Sequence, residues 1–383
     1  MKDNILYGLI WSSAILTVGL LLYIIYFIFS NGWSLMSVEF LTNDFEPKTQ
    51  YVSVQSFETF SPPTLNEDEY FSEKYGVVIA PTETAYEFVY VDEASPVRKA
   101  INNEDDIFPI KKGYELAQIK TSEESIRVNE KTAGQDIINL LDQMSEVQVK
   151  VVSPGGGIYP MIISTLILIA VALLFAAPIG VLAAIYMVEY AKPGRMVRLI
   201  RFATEILAGI PSIIYGLFGF LVFVQLMNLG MSILAGGLTL MILLLPIMMR
   251  TTEEALKAVP MSYREASYGL GATKIQTLAK VVLPSALPGI LVGVILSISR
   301  TIGESAALLF TIGTFAKIPL SQETGLISLM ETGTSLTVRA YVEVKESGNV
   351  EMAAAIGIVI LVIVFTLNLV SRYISNKFSR ANY

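Results

Sequence analysis

One apolar stretch of the sequence carries ionisable side chains where hydrophobic residues would be expected throughout. It reads Ser297-Ile-Ser-Arg300-Thr-Ile-Gly303-Glu304-Ser305. Charge at membrane depth is costly, so it usually faces the interior of a helix bundle and marks a pathway. An arginine there offers paired hydrogen bonds to an oxyanion and keeps its charge at any physiological pH. These residue types therefore favour recognition of an anion, and they indicate no catalytic residue.

Helical spacing predicts how these side chains are arranged. Arg300 and Glu304 are four residues apart, and Ser297 and Thr301 fall on the same predicted face. Glu304 would hold the guanidinium in place and prevent an empty pathway from carrying an unpaired charge. If the helix enters the membrane near Leu287, a rise of about 1.5 Å per residue puts Arg300 about 20 Å deep. The alternative is a structural ion pair that joins two helices.

A second stretch, residues 260–290, is half polar although it lies between two long apolar runs, and we call its residues 260–282 the elbow. Its spacing predicts two short helices, each with a capping box, separated by glycines that accept positive φ. The capping pairs are Ser262 with Glu265 and Thr273 with Gln276, and the glycines are Gly269 and Gly271. A rigid, capped loop of this kind indicates a surface that binds something in the water. An ordinary interfacial loop is the alternative.

Composition restricts the class of protein. Apolar residues make up 53% of the 383 residues and charged residues only 16%, and many apolar residues lie in runs near the length that crosses a bilayer. The sequence has neither Cys nor His, which excludes thiol redox chemistry, Cys/His zinc sites and His-based acid–base catalysis. No G-x-x-x-x-G-K-[ST] motif occurs, so an ATP-driven process would need its phosphate-binding loop on another chain.

The apolar runs predict six transmembrane helices. They are placed near residues 6–29, 159–188, 203–227, 231–249, 283–313 and 353–374, and the first is expected to be a retained anchor. Basic residues gather in three places: Lys192, Arg195, Arg198 and Arg201; Arg250, Lys257, Arg264, Lys274 and Lys280; and Arg372, Lys377 and Arg380. The positive-inside rule then predicts cytoplasmic N and C termini. In the third span, Gly209, Pro211, Gly216 and Gly219 are expected to face close neighbours.

The segment between the first two spans differs in character. Residues 31–155 are rich in Asp and Glu, and this segment alone is more negative than the whole chain with its net charge of −7. Alternation in 75–80 and 86–91 predicts strands, and 126–144 is predicted to be partly helical. A small soluble domain or an acidic spacer outside the membrane is favoured over a specific binding site. No D-x-D-x-D-G loop indicates calcium, and no metal site is predicted.

The predicted fold is therefore an all-α integral membrane protein with six transmembrane helices and an extra α+β extracytoplasmic domain. The predicted divisions are an N-terminal helix at 1–30, the insert at 31–155, and a transmembrane core at 156–378 that contains a cytoplasmic loop at 251–282. Residues 317–350 are expected to form an outside loop with a partly re-entrant piece.

The elbow resembles the E-A-A loop of ABC-importer permeases. The matching residues are Glu265-Ala266-Ser267-Tyr268-Gly269-Leu270-Gly271-Ala272, followed by Val282-Leu283-Pro284, with serine in place of the family's third-position alanine. In that family the loop docks into a cleft of the ATPase subunit. The resemblance therefore implies an ATPase-coupling role for Ser262, Glu265, Ala266, Gly269 and Gly271.

Three further segments resemble the PstA-type permease of phosphate importers. They are Arg300-Thr-Ile-Gly303-Glu304-Ser305-Ala306-Ala307-Leu308-Leu309-Phe310-Thr311, the segment from Glu205 to Gly219, and Ala184-Ile-Tyr-Met-Val-Glu189-Tyr190-Ala191. Serine and alanine replace the family's threonine and proline at 305 and 307. With the elbow these segments cover most of residues 158–310, and they leave 31–155 unmatched.

The resemblance implies a multi-pass permease subunit of the cell inner membrane, with no ATPase site or cofactor of its own. ATP and Mg²⁺ would be bound by ATPase partners, and the other partners would be a PstC-type permease, a phosphate-binding protein outside the membrane and lipid, but no nucleic acid. The pathway residues would be Arg300, Glu304, Ser297 and Thr301. A permease for molybdate or sulfate stays open as an alternative, as does a membrane sensor or scaffold.

Overall fold

The structure is a computed structural model that describes residues 2–82, 85–103, 107–120, 125–128, 132–192, 194–321 and 325–381. The chain forms two compact units. One is helical and comprises Met1–Thr42 and Ile158–Tyr383, and the other comprises Asn43–Gly157. The predicted insert at 31–155 therefore does not coincide with the second unit. Its first residues, up to Thr42, belong to the helical unit.

The helical unit contains most of the regular structure. Its helices are α1 (Lys2–Gly32), α2 (Val38–Thr42), α4 (Tyr159–Ile185), α5 (Arg195–Gly209), α6 (Ser212–Gly219), α7 (Ile233–Ala258), α8 (Met261–Gly269), α9 (Lys274–Thr277), α10 (Leu283–Ile302), α11 (Leu336–Lys345) and α12 (Val350–Ala381); α3 (Gly134–Gln143) belongs to the other unit. Tyr186–Tyr190, Phe220–Leu226 and Leu278–Val282 are π-helical turns that continue α4, α6 and α9.

Five helical stretches of the described residues are long and apolar enough to cross a membrane. They are Ile10–Leu35, Tyr159–Tyr190, Ile233–Ala258, Lys274–Ile302 and Val350–Ile374, and a bent pair of helices makes a sixth if it is counted as one span. The chain is therefore a membrane protein with several helical spans, as its composition predicts.

The predicted third span, 203–227, is not one continuous helix. It is the bent pair, in which Arg195–Gly209 and Ser212–Leu226 meet at 100°. Ile210 between them is extended, with φ −71° and ψ 132°. Pro211 explains the break, because proline lacks a backbone N–H and disfavours the α conformation in the residue before it. The expectation of one straight span is wrong for this reason.

The predicted fifth span is also shorter than expected. Helix α10 ends at Ile302, and the chain continues through turns and a single 3-10 turn at Leu308–Phe310. The loop predicted at 317–350 contains a helix, α11, that the sequence interpretation did not place.

Helix α1 has apolar side chains on all sides, and no residue of the most apolar 18-residue window within Ile10–Leu35 is buried, whereas Gly32 near the end of the helix is buried. Its C-terminal end packs on α12, where a Cβ added to Gly32 would lie 2.5 Å from the Ala354 backbone. A helix that is hydrophobic all round needs an apolar environment on every face, which a bilayer supplies.

Small residues allow the other helices to pack closely. A Cβ added to Gly219 would lie 2.1 Å from Thr239 Oγ1 on α7, and one added to Gly216 would lie 2.8 Å from the Ala307 carbonyl oxygen. At Gly209 nothing lies within 4 Å. The predicted close packing is therefore confirmed for Gly216 and Gly219 and is wrong for Gly209, which ends α5 beside the break.

The second unit is an antiparallel sheet with one helix. Its strands are β1 (Lys48–Gln55), β2 (Tyr70–Ser72), β3 (Val77–Pro81), β4 (Tyr86–Val91), β5 (Ile101–Asn102), β6 (Glu115–Lys120), β7 (Ser125–Arg127) and β8 (Glu146–Ser153). They lie in the order β2-β3-β4-β6-β8-β1-β5, with β7 paired to β6. Helix α3 buries Ile137, Ile138 and Leu141 in the core of this unit. The strands predicted from alternation at 75–80 and 86–91 are confirmed as β3 and β4.

A pair of glycine substitutions tests the packing of the bent span. Gly219→Ala should destabilise the protein by about 1–3 kcal/mol, because its Cβ would overlap Thr239 in a packed contact. Gly209→Ala should be tolerated, because that site is open. Thermal unfolding in mild detergent measures both, and equal melting temperatures for the two variants would contradict the packing described here.

The sheet unit carries a tyrosine whose ionisation should lower stability at high pH. Burial, followed by the charges of Asp142 and Glu146, raises the pKa of Tyr75 to about 12, and its hydroxyl donates to the Met144 carbonyl at 3.2 Å. A pKa raised above its unfolded value near 10 means that this contribution is complete below pH 10 and is lost as pH rises towards 12. Ultraviolet titration of the phenolate should show a late-ionising tyrosine that Tyr75→Phe removes. If the late-ionising component persists in the Tyr75→Phe variant, the assignment is refuted.

Candidate functional site

Arg300 lies in the last turn of α10, and its side chain is exposed on the single chain. Within the described residues its guanidinium has no ion pair or hydrogen bond, although its charge acts on the phenol of Tyr215. A cation in the last turn is also favoured by the negative end of the helix dipole. Arg300 is therefore an exposed charge at the end of an apolar helix.

Glu304 does not lie on the same helix face as Arg300. The helix ends at Ile302, and the Glu304 carboxylate is buried and accepts a hydrogen bond from the Ala307 backbone N–H at 3.3 Å. Its backbone carbonyl accepts from Thr337 Oγ1 on α11 at 2.7 Å. The expected i, i+4 pair is wrong, since the end of the helix at Gly303 turns the carboxylate towards the following 3-10 turn.

Ser297 and Thr301 lie on a buried face of α10. Their hydroxyls donate to the carbonyls of Gly293 and of Ser297, at 2.9 and 3.0 Å. This face packs on α7, because a Cβ added to Gly293 would lie 2.3 Å from Thr251 Oγ1. The predicted continuous polar stripe is wrong. Arg300 is exposed, while the two hydroxyls are satisfied inside the bundle.

The sequence interpretation missed a second charged pair beside this region. On α11, the Arg339 guanidinium donates to the Glu343 carboxylate, and only 15% and 4% of the two side chains are exposed. Thr337 of the same helix forms the bond to Glu304. The available signal was the Ser335 N-cap followed by charges at i, i+4 in an apolar segment.

A cavity of about 240 Å³ lies between α5 and α7 and is lined by charges. Within it, Glu253 Oε1 accepts from Arg201 Nη2 and from Lys257 Nζ, both at 2.6 Å. The sequence interpretation used Arg201 and Lys257 only to orient the chain in the membrane. In the structure, Arg201 joins α5 to Glu253 of α7, and Lys257 pairs with the same carboxylate within α7.

The elbow consists of α8, a glycine turn, α9 and the π-helical turn at Leu278–Val282, which leads into α10. The second predicted capping box is confirmed: Thr273 Oγ1 accepts from Gln276 N–H at 3.3 Å, and Thr273 N–H donates to Gln276 Oε1 at 2.8 Å. Gly271 has φ +81°, as predicted. The first box is wrong, because α8 begins at Met261 and Ser262 already lies in its first turn. Gly269 is the last residue of α8 and has no positive φ.

Most side chains of the elbow are exposed. All five predicted coupling residues, namely Ser262, Glu265, Ala266, Gly269 and Gly271, are exposed on the single chain. Leu270 is 90% exposed and Ile275 is 69% exposed. Large apolar side chains are therefore exposed on both sides of the turn at Gly271.

Arg264 is the buried residue of α8 and was not predicted as a site residue. Its guanidinium donates to Glu189 Oε1 at 2.8 Å, to the Leu256 carbonyl at 3.0 Å and to the Val259 carbonyl at 2.8 Å. The two carbonyls lie at the end of α7, where a helix has unpaired acceptors. Glu189 lies in a segment that carries the family resemblance, and an arginine beside an E-A-A loop could have suggested the pairing.

Comparison with known proteins places the chain in a family. Residues 176–380 match the family described as "Binding-protein-dependent transport system inner membrane component". A relative described as "Probable ABC transporter permease protein YqgI", from Bacillus subtilis (strain 168), is 35% identical over 252 residues, which cover 62% of this chain and 85% of the relative. The "Phosphate transport system permease protein PstA 1" of Mycobacterium tuberculosis (strain CDC 1551 / Oshkosh) is 36% identical over 222 residues, 57% of this chain and 71% of that protein.

A solved structure, the inward-facing MetNI methionine ABC transporter, is 20% identical and covers 58% of this chain and 94% of its own, with a TM-score of 0.45. The resemblance to PstA-type permeases predicted from the motifs is confirmed by the sequence relatives.

The turn at Gly271 gives a test of the elbow's conformation. Gly271→Val should open the turn at a cost of about 1–2 kcal/mol, because a β-branched residue resists positive φ. Tryptic cleavage after the exposed Lys274 and Lys280 should then be roughly tenfold faster, since cleavage follows the population of the open form. Gly271→Asn is the matched control, because asparagine tolerates this region of φ. Equal cleavage rates for both variants would contradict the geometry.

Proposed function

This chain belongs to the family of binding-protein-dependent transport system inner membrane components, and on that premise we propose that it is the permease subunit of an ATP-driven phosphate importer. As a family member it is a membrane permease subunit and does not itself catalyse a reaction. The proposal concerns the substrate, the coupling to an ATPase and the roles of individual residues.

The observation that carries the proposal is the elbow. It combines an exposed apolar tip at Leu270, a turn fixed by Gly271 and a single buried guanidinium, Arg264, that ties it to the ends of transmembrane helices. A loop that served only to connect two spans would not need this construction. The sequence also lacks a Walker motif, so the elbow is the surface to which a separate ATPase, carrying ATP and Mg²⁺, would bind.

Arg300 and the PstA relatives support phosphate as the substrate. The exposed guanidinium has its paired donors available, and this geometry suits a phosphate oxyanion. Because a pathway must release what it binds, one exposed arginine suits passage better than an enclosed, fully bonded site. Ser297, Thr301 and Glu304 would contribute by holding the shape of α10 and its following turn, since their polar atoms are bonded inside the bundle.

We propose six spans with both termini in the cytoplasm. The bent pair is counted as the third span, and the basic residues near α5, the elbow and the end of α12 then lie inside. The sheet unit at 43–157 would lie outside, where its acidity does not attract phosphate directly.

The proposed assembly contains two ATPase subunits, a second permease of PstC type and a phosphate-binding protein outside the membrane. ATP-driven closure of the ATPase subunits would displace the elbow, tilt the spans and open the outer end of the pathway. ATP hydrolysis would then return the permease to the state that releases phosphate inward.

Substitution of Arg300 tests the substrate assignment in proteoliposomes that contain the complete transporter. Arg300→Gln should lower phosphate uptake roughly 10- to 100-fold, because hydrogen bonds to charged groups contribute about 1.5–3 kcal/mol. Arg300→Lys should retain part of the uptake, since lysine keeps the positive charge but lacks the paired donors of the planar guanidinium.

Arg195→Gln, which removes an exposed charge near the start of α5, is the matched control and should transport normally. Uptake that is unchanged in Arg300→Gln would remove the site assignment. Competition by sulfate or molybdate stronger than that by phosphate would replace the proposed substrate with another oxyanion.

A further inference from the structure

Two consecutive residues at the end of α4 contact the elbow, and neither has a role in the proposed function so far. The π-helical turn Tyr186–Tyr190 continues α4, and we call it the α4 turn. Its Glu189 contacts Arg264 on α8, and its Tyr190 contacts Lys274 on α9. Both helices of the elbow therefore meet the same turn. π-Helical turns inside α-helices are frequent at functional sites.

The first contact is a buried ion pair. The Glu189 and Arg264 side chains are each 9% exposed, and Glu189 Oε1 accepts from Arg264 Nη2 at 2.8 Å and from Nε at 3.2 Å. Two further donors of the guanidinium bond to the Leu256 and Val259 carbonyls at the end of α7. One side chain of α8 therefore joins the ends of α4 and α7.

The second contact is a cation–π interaction. Lys274 Nζ lies 4.7 Å from the centroid of the Tyr190 ring, within the range in which such pairs attract. The two elbow helices are also joined to each other, because Ser267 Oγ and Thr277 Oγ1 lie 2.9 Å apart and Thr277 is buried. The elbow can therefore move as one body with the α4 turn.

A buried pair of opposite charges resists separation, because each charge would be left without water and without a partner. Displacement of the elbow by another protein would then carry the ends of α4 and α7 with it. Helix α10 follows directly, since α9 and the turn at Leu278–Val282 are continuous with it. Displacement of the elbow therefore reaches α10, which carries Arg300, through the continuous chain. It reaches α4 through the non-covalent contacts of Arg264 and Lys274.

We propose that Glu189 and Tyr190 are positioning residues that transmit the movement of the elbow into α4. This inference rests on the proposed function, in which an ATPase displaces the elbow. Neither residue contacts substrate or nucleotide in this scheme. They determine whether α4 moves together with α10 when the ATPase closes.

The test measures phosphate transported per ATP hydrolysed in proteoliposomes that contain the complete transporter and its binding protein. Glu189→Gln should lower this ratio roughly tenfold, because it removes the charge that holds Arg264. Arg264→Gln should lower it at least as much, because it also loses the bonds to the Leu256 and Val259 carbonyls. The double variant should be no worse than Arg264→Gln alone, since the Glu189 carboxylate acts through Arg264.

The contact between Lys274 and Tyr190 is exposed, so substitutions in it should leave the fold intact. Lys274→Met and Tyr190→Leu should each lower the ratio roughly two- to fivefold, and together they should have the effect of one. Tyr190→Phe keeps the ring and should retain the ratio. Lys280→Met is the matched control, because Lys280 is an exposed elbow cation without a ring or carboxylate contact in the described part of the chain.

A purely structural role would lower the yield of assembled complex and leave the ratio per complex unchanged, and that result would overturn the inference. Unchanged ratios in both the Glu189 and the Lys274 variants would overturn it as well. If Glu189→Gln fails to assemble, the Lys274 and Tyr190 variants decide the matter. A wild-type complex that hydrolyses ATP and moves no phosphate would refute the proposed function itself, which is a distinct outcome.

Discussion

The guanidinium of Arg264 is the contact on which the arrangement of the α4 and α7 ends beside the elbow depends. A buried arginine is tolerated only if its charge is paired and its donors are bonded. Here one carboxylate and two helix-end carbonyls meet both requirements, and they come from α4 and α7. Removal of the carboxylate would leave an uncompensated charge, and loss of either carbonyl would leave a buried donor without a partner, so both helices hold α8 in position. The exposed part of the elbow then presents Leu270 and the glycine turn in a defined orientation.

Arg300 illustrates the opposite use of the same residue type. Its side chain is exposed and remains available, while Arg264 and Arg201 hold carboxylates of neighbouring helices. Charge therefore joins helices at Arg264 and Arg201, whereas under the proposed function Arg300 would meet an anion. The Glu304 carboxylate does not need Arg300 as a partner, because it has a backbone donor of its own in the turn after α10.

Features set by local sequence were predictable. The capping box at Thr273 and the positive φ at Gly271 follow from interactions within a few residues, and the strands β3 and β4 follow from alternation. Errors occurred where one residue ends a helix. Pro211 broke the third span, and the end of α10 at Gly303 moved Glu304 off the face of Arg300. The partner of Arg264 is 75 residues away in the sequence, so patterns within a few residues do not reveal it. Charge patterns that indicate orientation in a membrane do not distinguish a free lysine or arginine from one that bonds another helix.

The most direct measurement of the central claim is the distance between the elbow and the α4 turn in the working transporter. The chain has no cysteine, so spin labels can be attached at Lys280→Cys and Tyr186→Cys without other changes to it, and both sites are exposed. With ATP bound or absent, the two labels should give the same distance distribution, while the distance from Lys280 to a label on the second permease subunit should change. A change between Lys280 and Tyr186 on ATP binding would show that the elbow moves independently of α4, and it would contradict this account.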